Sequence, residues 1–188
     1  SLEMSREQIG HRFLSSEANV DLRNVRQRLY GDVAERRIVN AAGTLSELPI
    51  FIDDTPLQNI VEIRGKARRL HMERKLDLAI VDYLQLVQGS GRRDNRVQEV
   101  GEITRSLKGI ARDLNIPVLA LSQLSRAVDV RPSHRPQLSD LRESGSIEQD
   151  ADVVIFIHRE DQRLNREEWE RQNPGEEYPR GVADLIVA

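Results

Sequence analysis

One nearly unbroken apolar run, LDLAIVDYLQLV at residues 76–87, constrains the fold of this chain more than any other segment. Runs rich in Ile, Val and Leu are typical of central strands in a parallel sheet that helices cover on both faces. Asp82 lies in the run where a buried strand would end. A buried carboxylate is costly unless it is paired, bound to a metal or reached by solvent. Because α/β proteins bind ligands at this edge, Asp82 is either a buried structural acid or the magnesium-site acid of a nucleotide-binding fold.

Helical and strand patterns alternate along the rest of the chain. Ser5 and Gln8 form a capping box that predicts a helix start, and Thr55 followed by Pro56 predicts another. We expect helices over residues 5–17, 22–30, 33–46, 55–75 and 97–114, and strands over residues 49–53, 76–87, 116–121, 151–157 and 181–187. Residues 122–148 are expected to be largely irregular, and residues 159–180 to form a charged surface excursion. This order favours right-handed crossovers and an α/β fold with a mostly parallel central sheet flanked by helices.

The composition narrows the possible function classes. The 188 residues include no cysteine, which excludes disulfides, thiolate zinc sites and cysteine nucleophiles and fits a reducing cytoplasm. No apolar run reaches about 18 residues, so we expect no membrane span. The net charge is −3, so any contact with nucleic acid must come from local basic patches. Aromatic residues make up only 4%, which argues against base stacking as the main mode of single-strand binding.

Four candidates lie at or next to the ends of predicted strands, where a parallel sheet would bring them to one rim: Glu3, Asp82, Gln123 and the stretch Arg142–Asp150. Hydrolysis of a nucleotide needs a phosphate cradle, a magnesium ion held through an acid, a group that orients water and a sensor of the γ-phosphate. Asp82 suits the magnesium role, through coordinated water. Glu3 suits the water-orienting base, and Gln123 suits the sensor. Taken singly, each also has an ordinary interpretation as a solvated acid, a turn residue or a cap.

The order SLEMSREQI, LDLAIVDYLQLV, VLALSQLSR and LSDLRESGSIEQDADVVIFIHR closely resembles the C-terminal motor domain of the bacterial replicative DNA helicase (DnaB) family. The resemblance implies a RecA-like P-loop NTPase core, with residues 1–188 forming one partial ATPase/helicase motor domain. It also implies that Glu3 is the catalytic glutamate and Asp82 the Walker B aspartate at the magnesium and nucleotide site. Gln123 would be the catalytic γ-phosphate sensor, in contact with the nucleotide.

The resemblance also indicates where DNA would bind. The loop that contains Arg142, Glu143 and Gly145 resembles the one that contacts the backbone of single-stranded DNA in the central channel of a ring. A grip on the backbone suits a low aromatic content and movement along any sequence. Arg126 lies in a sparse basic stretch that corresponds to a channel-facing loop. The two arginines of QGSGRRDN, residues 88–95, either face DNA or are a solvated charge pair.

The function implied by the resemblance is that of a hexameric, ATP-dependent helicase that translocates on single-stranded DNA and unwinds duplex at the replication fork. Its cofactors would be ATP and Mg²⁺. Its partners would be single-stranded DNA and further copies of itself in a homohexamer, with a helicase loader and primase bound through the parent protein. Its location would be the bacterial cytoplasm, at the replication fork. A RecA-like recombination or repair ATPase is the alternative, although the DLRESGSIEQDAD stretch argues against it.

One expected motif is missing from the sequence. The phosphate cradle G-x-x-x-x-G-K-[ST] does not occur. The nearest match, at residues 64–67, fails because position 60 is Ile60 and Ala67 has no hydroxyl group for magnesium. In the family, the phosphate loop precedes the SLEM strand, and basic residues that reach the neighbouring subunit follow the last strand. We therefore expect a fragment truncated at both ends, such as a segment flanking an intein, that is inactive by itself.

Overall fold

A computed structural model of the chain describes residues 1–89, 96–131 and 133–188, without the side chains of residues 142–145. Helices and short strands alternate in this part. The α-helices are α1 (Arg6–Ala18), α2 (Leu22–Gln27), α3 (Asp32–Ser46), α4 (Ile60–Arg74), α5 (Arg96–Leu114), α6 (Ala127–Val130), α7 (Gly145–Asp150) and α8 (Arg166–Gln172). The strands are β1 (Ala79–Val81), β2 (Val118–Ala120), β3 (Ile155–His158) and β4 (Asp184–Val187). Turns of 3-10 helix cover Leu84–Leu86, Leu138–Ser144 and Glu160–Gln162.

The strands pair in two ways. β1 and β2 run parallel, with Ala79 opposite Val118, and α5 forms the crossover between them in the chain. β3 and β4 run antiparallel, with Ile155 opposite Val187. The apolar run of β4 predicted a strand, and its antiparallel pairing with β3 departs from the parallel direction expected for most of the sheet. The pattern of side chains is the same in both directions, so it does not distinguish them. Among the described residues, no helix has the length and apolar character to cross a membrane.

The segment PIFID, residues 49–53, is not a strand, and the prediction of one there is wrong. A strand needs a neighbour that pairs with its backbone N–H and C=O groups. The N–H of Ile50 instead donates to the carbonyl of Leu48 in its own turn. The carbonyl of Asp53 accepts from the terminal amine of Ser1 at 2.8 Å, which is one contact and not a ladder. An apolar sequence favours a strand but does not supply its partner.

Helix α4 begins at Ile60, four residues after Pro56, which was predicted as the first helical residue. The side chain of Asn59 accepts from the N–H of Glu62, and the side chain of Glu62 accepts from the N–H of Asn59. This capping box satisfies two N–H groups that the helix leaves free. Thr55 instead lies in the preceding turn, where its hydroxyl donates to Asp53 at 2.6 Å. The two reciprocal bonds of Asn59 and Glu62 therefore set the start of the helix, and Thr55 does not.

The core is built around α5. Ile103, Leu107 and Ile110 recur on one face of this helix and are buried. They pack against a cluster that comprises Ile60, Val81, Leu84 and Val87. The end of β1 and the turn that follows it are therefore anchored on the best-packed part of the described structure.

Candidate functional site

Asp82 lies directly after β1, at the carboxyl edge of the parallel pair. The N–H of Leu121 donates to the carbonyl of Val81 at 2.9 Å, and the N–H of Leu84 donates to the carbonyl of Leu121 at the same distance. The ends of β1 and β2 therefore lie side by side. Asp82 is half-buried, and the peptide bond that joins it to Tyr83 is cis. Its position is the one at which α/β proteins bind ligands.

The N-terminal segment is joined to this strand end. The N–H of Leu2 donates to the carbonyl of Asp82 at 2.9 Å, and the Leu2 side chain packs against the core cluster. Glu3 follows Leu2 directly and therefore lies beside the end of β1, where it is exposed. Helix α1 follows at once, and the predicted capping box of Ser5 and Gln8 is confirmed. The structure therefore brings the two predicted acids to one edge.

Two acidic residues in the turn before α4 contact this segment, Asp54 through its carboxylate and Asp53 through its backbone carbonyl. Asp54 accepts from the N–H of Arg6 at 2.9 Å, at the start of α1, and this bond holds the pKa of Asp54 below its usual value. Partial burial raises the pKa of Asp53, but hydrogen bonds from Lys66 and Thr55 outweigh it and hold that pKa well below the ordinary range. Both groups are ionised at neutral pH. Sequence reasoning assigned them no role, although an acid pair before a helix is a signal for such bonds.

Gln123 lies beyond the end of β2 and is exposed. Its backbone is held by Gln85, a residue that sequence reasoning missed. The side-chain amide of Gln85 accepts from the N–H of Gln123 and donates to its carbonyl, both at 3.2 Å. The available signal was that Gln85 is a polar residue inside an apolar run.

The predicted DNA-binding segment has a helical backbone, so the prediction that residues 122–148 are largely irregular is wrong for this part. Arg142 and Glu143 lie in the 3-10 turn that begins at Leu138, and Gly145 begins α7. The side chains of these three residues lie outside the described part of the structure. On either side of them, Leu141 is buried and Ile147 packs against the core cluster. Two apolar residues are too few to show helical periodicity in the sequence.

The segment of the chain between β2 and this 3-10 turn is held by hydrogen bonds to Asp140. Both nitrogens at the end of the Arg131 guanidinium donate to the Asp140 carboxylate, at 2.6 and 2.9 Å. The N–H of Gln137 donates to the same carboxylate, and the N–H of Ser125 donates to the Asp140 carbonyl. The Arg131 bonds hold the pKa of Asp140 below its usual value, although burial opposes them. Arg126 lies in this segment and is exposed.

A magnesium site built on one acid is consistent with the described residues. Among them, no group of three or more His, Asp or Glu side chains could hold a metal ion by itself. Magnesium in nucleotide sites is bound by one or two carboxylates, the substrate phosphates and water, so Asp82 alone fits an ion that arrives with a nucleotide. Arg92 and Arg93 lie outside the described residues.

Comparisons with known proteins give a consistent result. The chain matches the family model described as "DnaB-like helicase C terminal domain" over residues 1–188. It is 49% identical over 199 aligned positions to the replicative DNA helicase DnaB of Rickettsia bellii, covering 100% of this chain and 40% of that protein. A solved structure described as an ATPase domain superposes with a TM-score of 0.87 at 32% identity, covering 100% of this chain and 64% of its own. Another, of a DnaB-like replicative helicase and its interactions with primase, has a TM-score of 0.83 at 30% identity, covering 99% and 46%.

Proposed function

This chain belongs to the DnaB-like helicase C-terminal domain family, and from that premise we propose that it is part of a hexameric, ATP-dependent replicative DNA helicase. The chain spans 40% of the length of the R. bellii relative, so the proposal concerns the whole protein of which these residues are a part. That protein would translocate on single-stranded DNA and separate duplex at the replication fork. The observation that supports the chemistry most is the bond between the N–H of Leu2 and the carbonyl of Asp82, which brings Glu3 beside the end of β1.

The roles follow from what nucleotide hydrolysis requires. Asp82 would bind a water of the hydrated Mg²⁺ that ATP brings. Glu3, exposed beside it, would orient the attacking water and accept its proton. Gln123 would contact the γ-phosphate at the end of the neighbouring strand, so that loss of this phosphate changes the loop that follows. The phosphate-binding motif does not occur in these 188 residues, so the proposal assigns phosphate binding to another part of the whole protein.

DNA and protein partners belong to the same proposal. The phosphodiester backbone of single-stranded DNA would be contacted by Arg142, Glu143 and Gly145. Arg126, in the segment between β2 and the 3-10 turn, would contact it as well. Contacts to the backbone position a protein without reading sequence, as a translocating motor requires. The whole protein would form a homohexamer in the bacterial cytoplasm and would bind a loader and primase. The similar solved structure described as a DnaB-like replicative helicase and its interactions with primase supports the last of these contacts.

The test uses the whole protein and a forked DNA with a 5′ single-stranded tail. We expect unwinding that needs both ATP and Mg²⁺. Glu3→Gln should abolish unwinding and hydrolysis because the amide cannot accept a proton from water. Glu7→Gln is the matched control, since Glu7 is exposed in the first turn of α1, and it should behave as the wild-type protein does. Pairing of homologous strands without unwinding would contradict the proposal and favour a recombination ATPase.

A further inference from the structure

Beyond the end of β1, a side chain continues the hydrogen bonding that joins the two parallel strands. The backbone ladder ends where Leu121 bonds to Val81 and Leu84 bonds to Leu121. Next along the chain, Gln85 bonds to both the N–H and the carbonyl of Gln123 at 3.2 Å. A side-chain amide has the same donor and acceptor types as a peptide group. Gln85 therefore gives Gln123 the pairing that another strand residue would have given.

The Gln85 amide can satisfy this environment in only one orientation. Its second N–H donates to the hydroxyl oxygen of Ser122 at 2.9 Å. A flipped amide would set its NH₂ group against the N–H of Gln123 and its oxygen against the carbonyl of Gln123, so the bond network fixes the assignment. The backbone of Gln85 is fixed as well, because its carbonyl accepts from the Arg96 guanidinium at 2.7 Å. Arg96 begins α5, the helix that organises the core.

We propose that Gln85 is a positioning residue that holds the backbone of Gln123 so that the side chain of Gln123 meets the γ-phosphate. The inference rests on the proposed function, in which Gln123 is the sensor. Gln85 is itself half-buried, whereas its neighbour Leu84 is only 2% exposed and anchors the turn in the core. Leu84 therefore packs this turn into the core, whereas the Gln85 amide bonds to the loop that carries Gln123.

The variant that tests this role is Gln85→Met. Methionine keeps the length and apolar stem of glutamine but forms none of the three bonds. We expect kcat for DNA-stimulated ATP hydrolysis to fall about tenfold, because the Gln123 side chain would no longer be held at the γ-phosphate. ADP has no γ-phosphate and serves as the comparison. The affinity for ADP should change less than about twofold, because the bonds lost do not reach the part of the site that ADP shares. Gln172→Met, at an exposed glutamine in α8, is the control and should alter neither value.

A double-mutant cycle in the whole protein separates positioning from general support of the fold. If Gln85 acts through the Gln123 side chain, Gln85→Met should have no further effect on kcat in a Gln123→Ala background. A merely structural role would lower kcat, ADP affinity and the urea midpoint together, and would do so in both backgrounds. That result, or a normal kcat in Gln85→Met beside a low kcat in Gln123→Ala, overturns the inference and leaves the proposed function standing. A normal kcat in Gln123→Ala overturns the inference together with the sensor role on which it rests.

Discussion

Two glycines of α5 are expected to respond in opposite ways to the same substitution. A Cβ atom added at Gly101 would lie 2.7 Å from the hydroxyl oxygen of Ser146 and 3.2 Å from its Cβ. A Cβ atom added at Gly109 would meet nothing within 4 Å in the described structure. Ser146 is the second residue of α7, directly after the segment assigned to DNA. The pair therefore tests how closely α5 supports that segment.

The magnitude follows from two opposing effects. Alanine is more favourable than glycine inside a helix by about 0.5–1 kcal/mol, and Gly109→Ala should gain this stability. At Gly101 the same gain is opposed by overpacking, which typically costs about 1–3 kcal/mol. The Ser146 hydroxyl can rotate away, but its Cβ can move only if α7 shifts. We therefore expect Gly101→Ala to be less stable than Gly109→Ala by about 1–3 kcal/mol.

Urea unfolding of the two variants beside the wild-type protein measures this difference. Adding Ser146→Gly to Gly101→Ala removes the two Ser146 atoms and leaves only the end of the flexible Arg105 side chain at 3.3 Å, so it should recover most of the overpacking cost. Because α7 follows the segment assigned to DNA, Gly101→Ala should also weaken single-strand binding, whereas Gly109→Ala should not. Equal gains in stability for both alanine variants would refute the close packing of α5 on α7.

Three further outcomes are expected. Asp140→Ala should accelerate amide exchange, measured by NMR, more at Gln137 than at Ser125. The N–H of Gln137 loses its acceptor, whereas the N–H of Ser125 bonds to the backbone carbonyl of residue 140. Equal acceleration at both sites would count against the role of the Asp140 carboxylate. A neighbouring arginine lowers the pKa of Asp161 to about 2. The ionised Asp161 carboxylate should therefore stabilise the fold fully above its ordinary pKa of 3.8, and this stabilisation should be lost as the pH falls towards 2. The urea midpoint of Asp161→Asn should consequently drop less between pH 7 and pH 3 than that of the wild-type protein. An unchanged drop would exclude this role. Arg142→Ala should weaken single-strand binding and lower the slope of log affinity against log salt by about 1, and an unaltered slope would remove Arg142 from the interface.

The elements that the sequence predicted well are those with a local cause. The apolar run around Asp82 predicted a strand with an acid at its end, and β1 confirms this over Ala79–Val81. The prediction of a buried strand over residues 76–87 is wrong in its extent, because Ile80 is 57% exposed and Leu84–Leu86 form a 3-10 turn. The helical pattern over residues 97–114 predicted a helix, and α5 confirms it with Ile103, Leu107 and Ile110 buried on one face. Both depend on the period of the side chains, which is visible without knowledge of their partners.

The features that the sequence did not predict depend on partners distant in the chain. PIFID had the composition of a strand, but no neighbouring strand pairs with it in the described structure. Gln85 bonds to the backbone of Gln123 in a distant part of the chain, and Asp140 bonds to the N–H of Gln137 across a turn. The sequence shows that Gln85 is polar within an apolar run, but it does not show the partner of either side chain. The catalytic and DNA-binding roles of Glu3, Asp82 and the segment around Arg142 stay predictions until they are measured.

The most direct test of the central claim is Mg²⁺-dependent ATP hydrolysis by the whole protein carrying Asp82→Asn, measured with single-stranded DNA. Asp77→Asn is the matched control, because Asp77 belongs to the same apolar run but is exposed at its other end. We predict that Asp82→Asn abolishes hydrolysis while unfolding in urea at nearly the wild-type midpoint, and that Asp77→Asn hydrolyses ATP normally. Wild-type hydrolysis by Asp82→Asn would contradict the assignment of this strand end as the magnesium site.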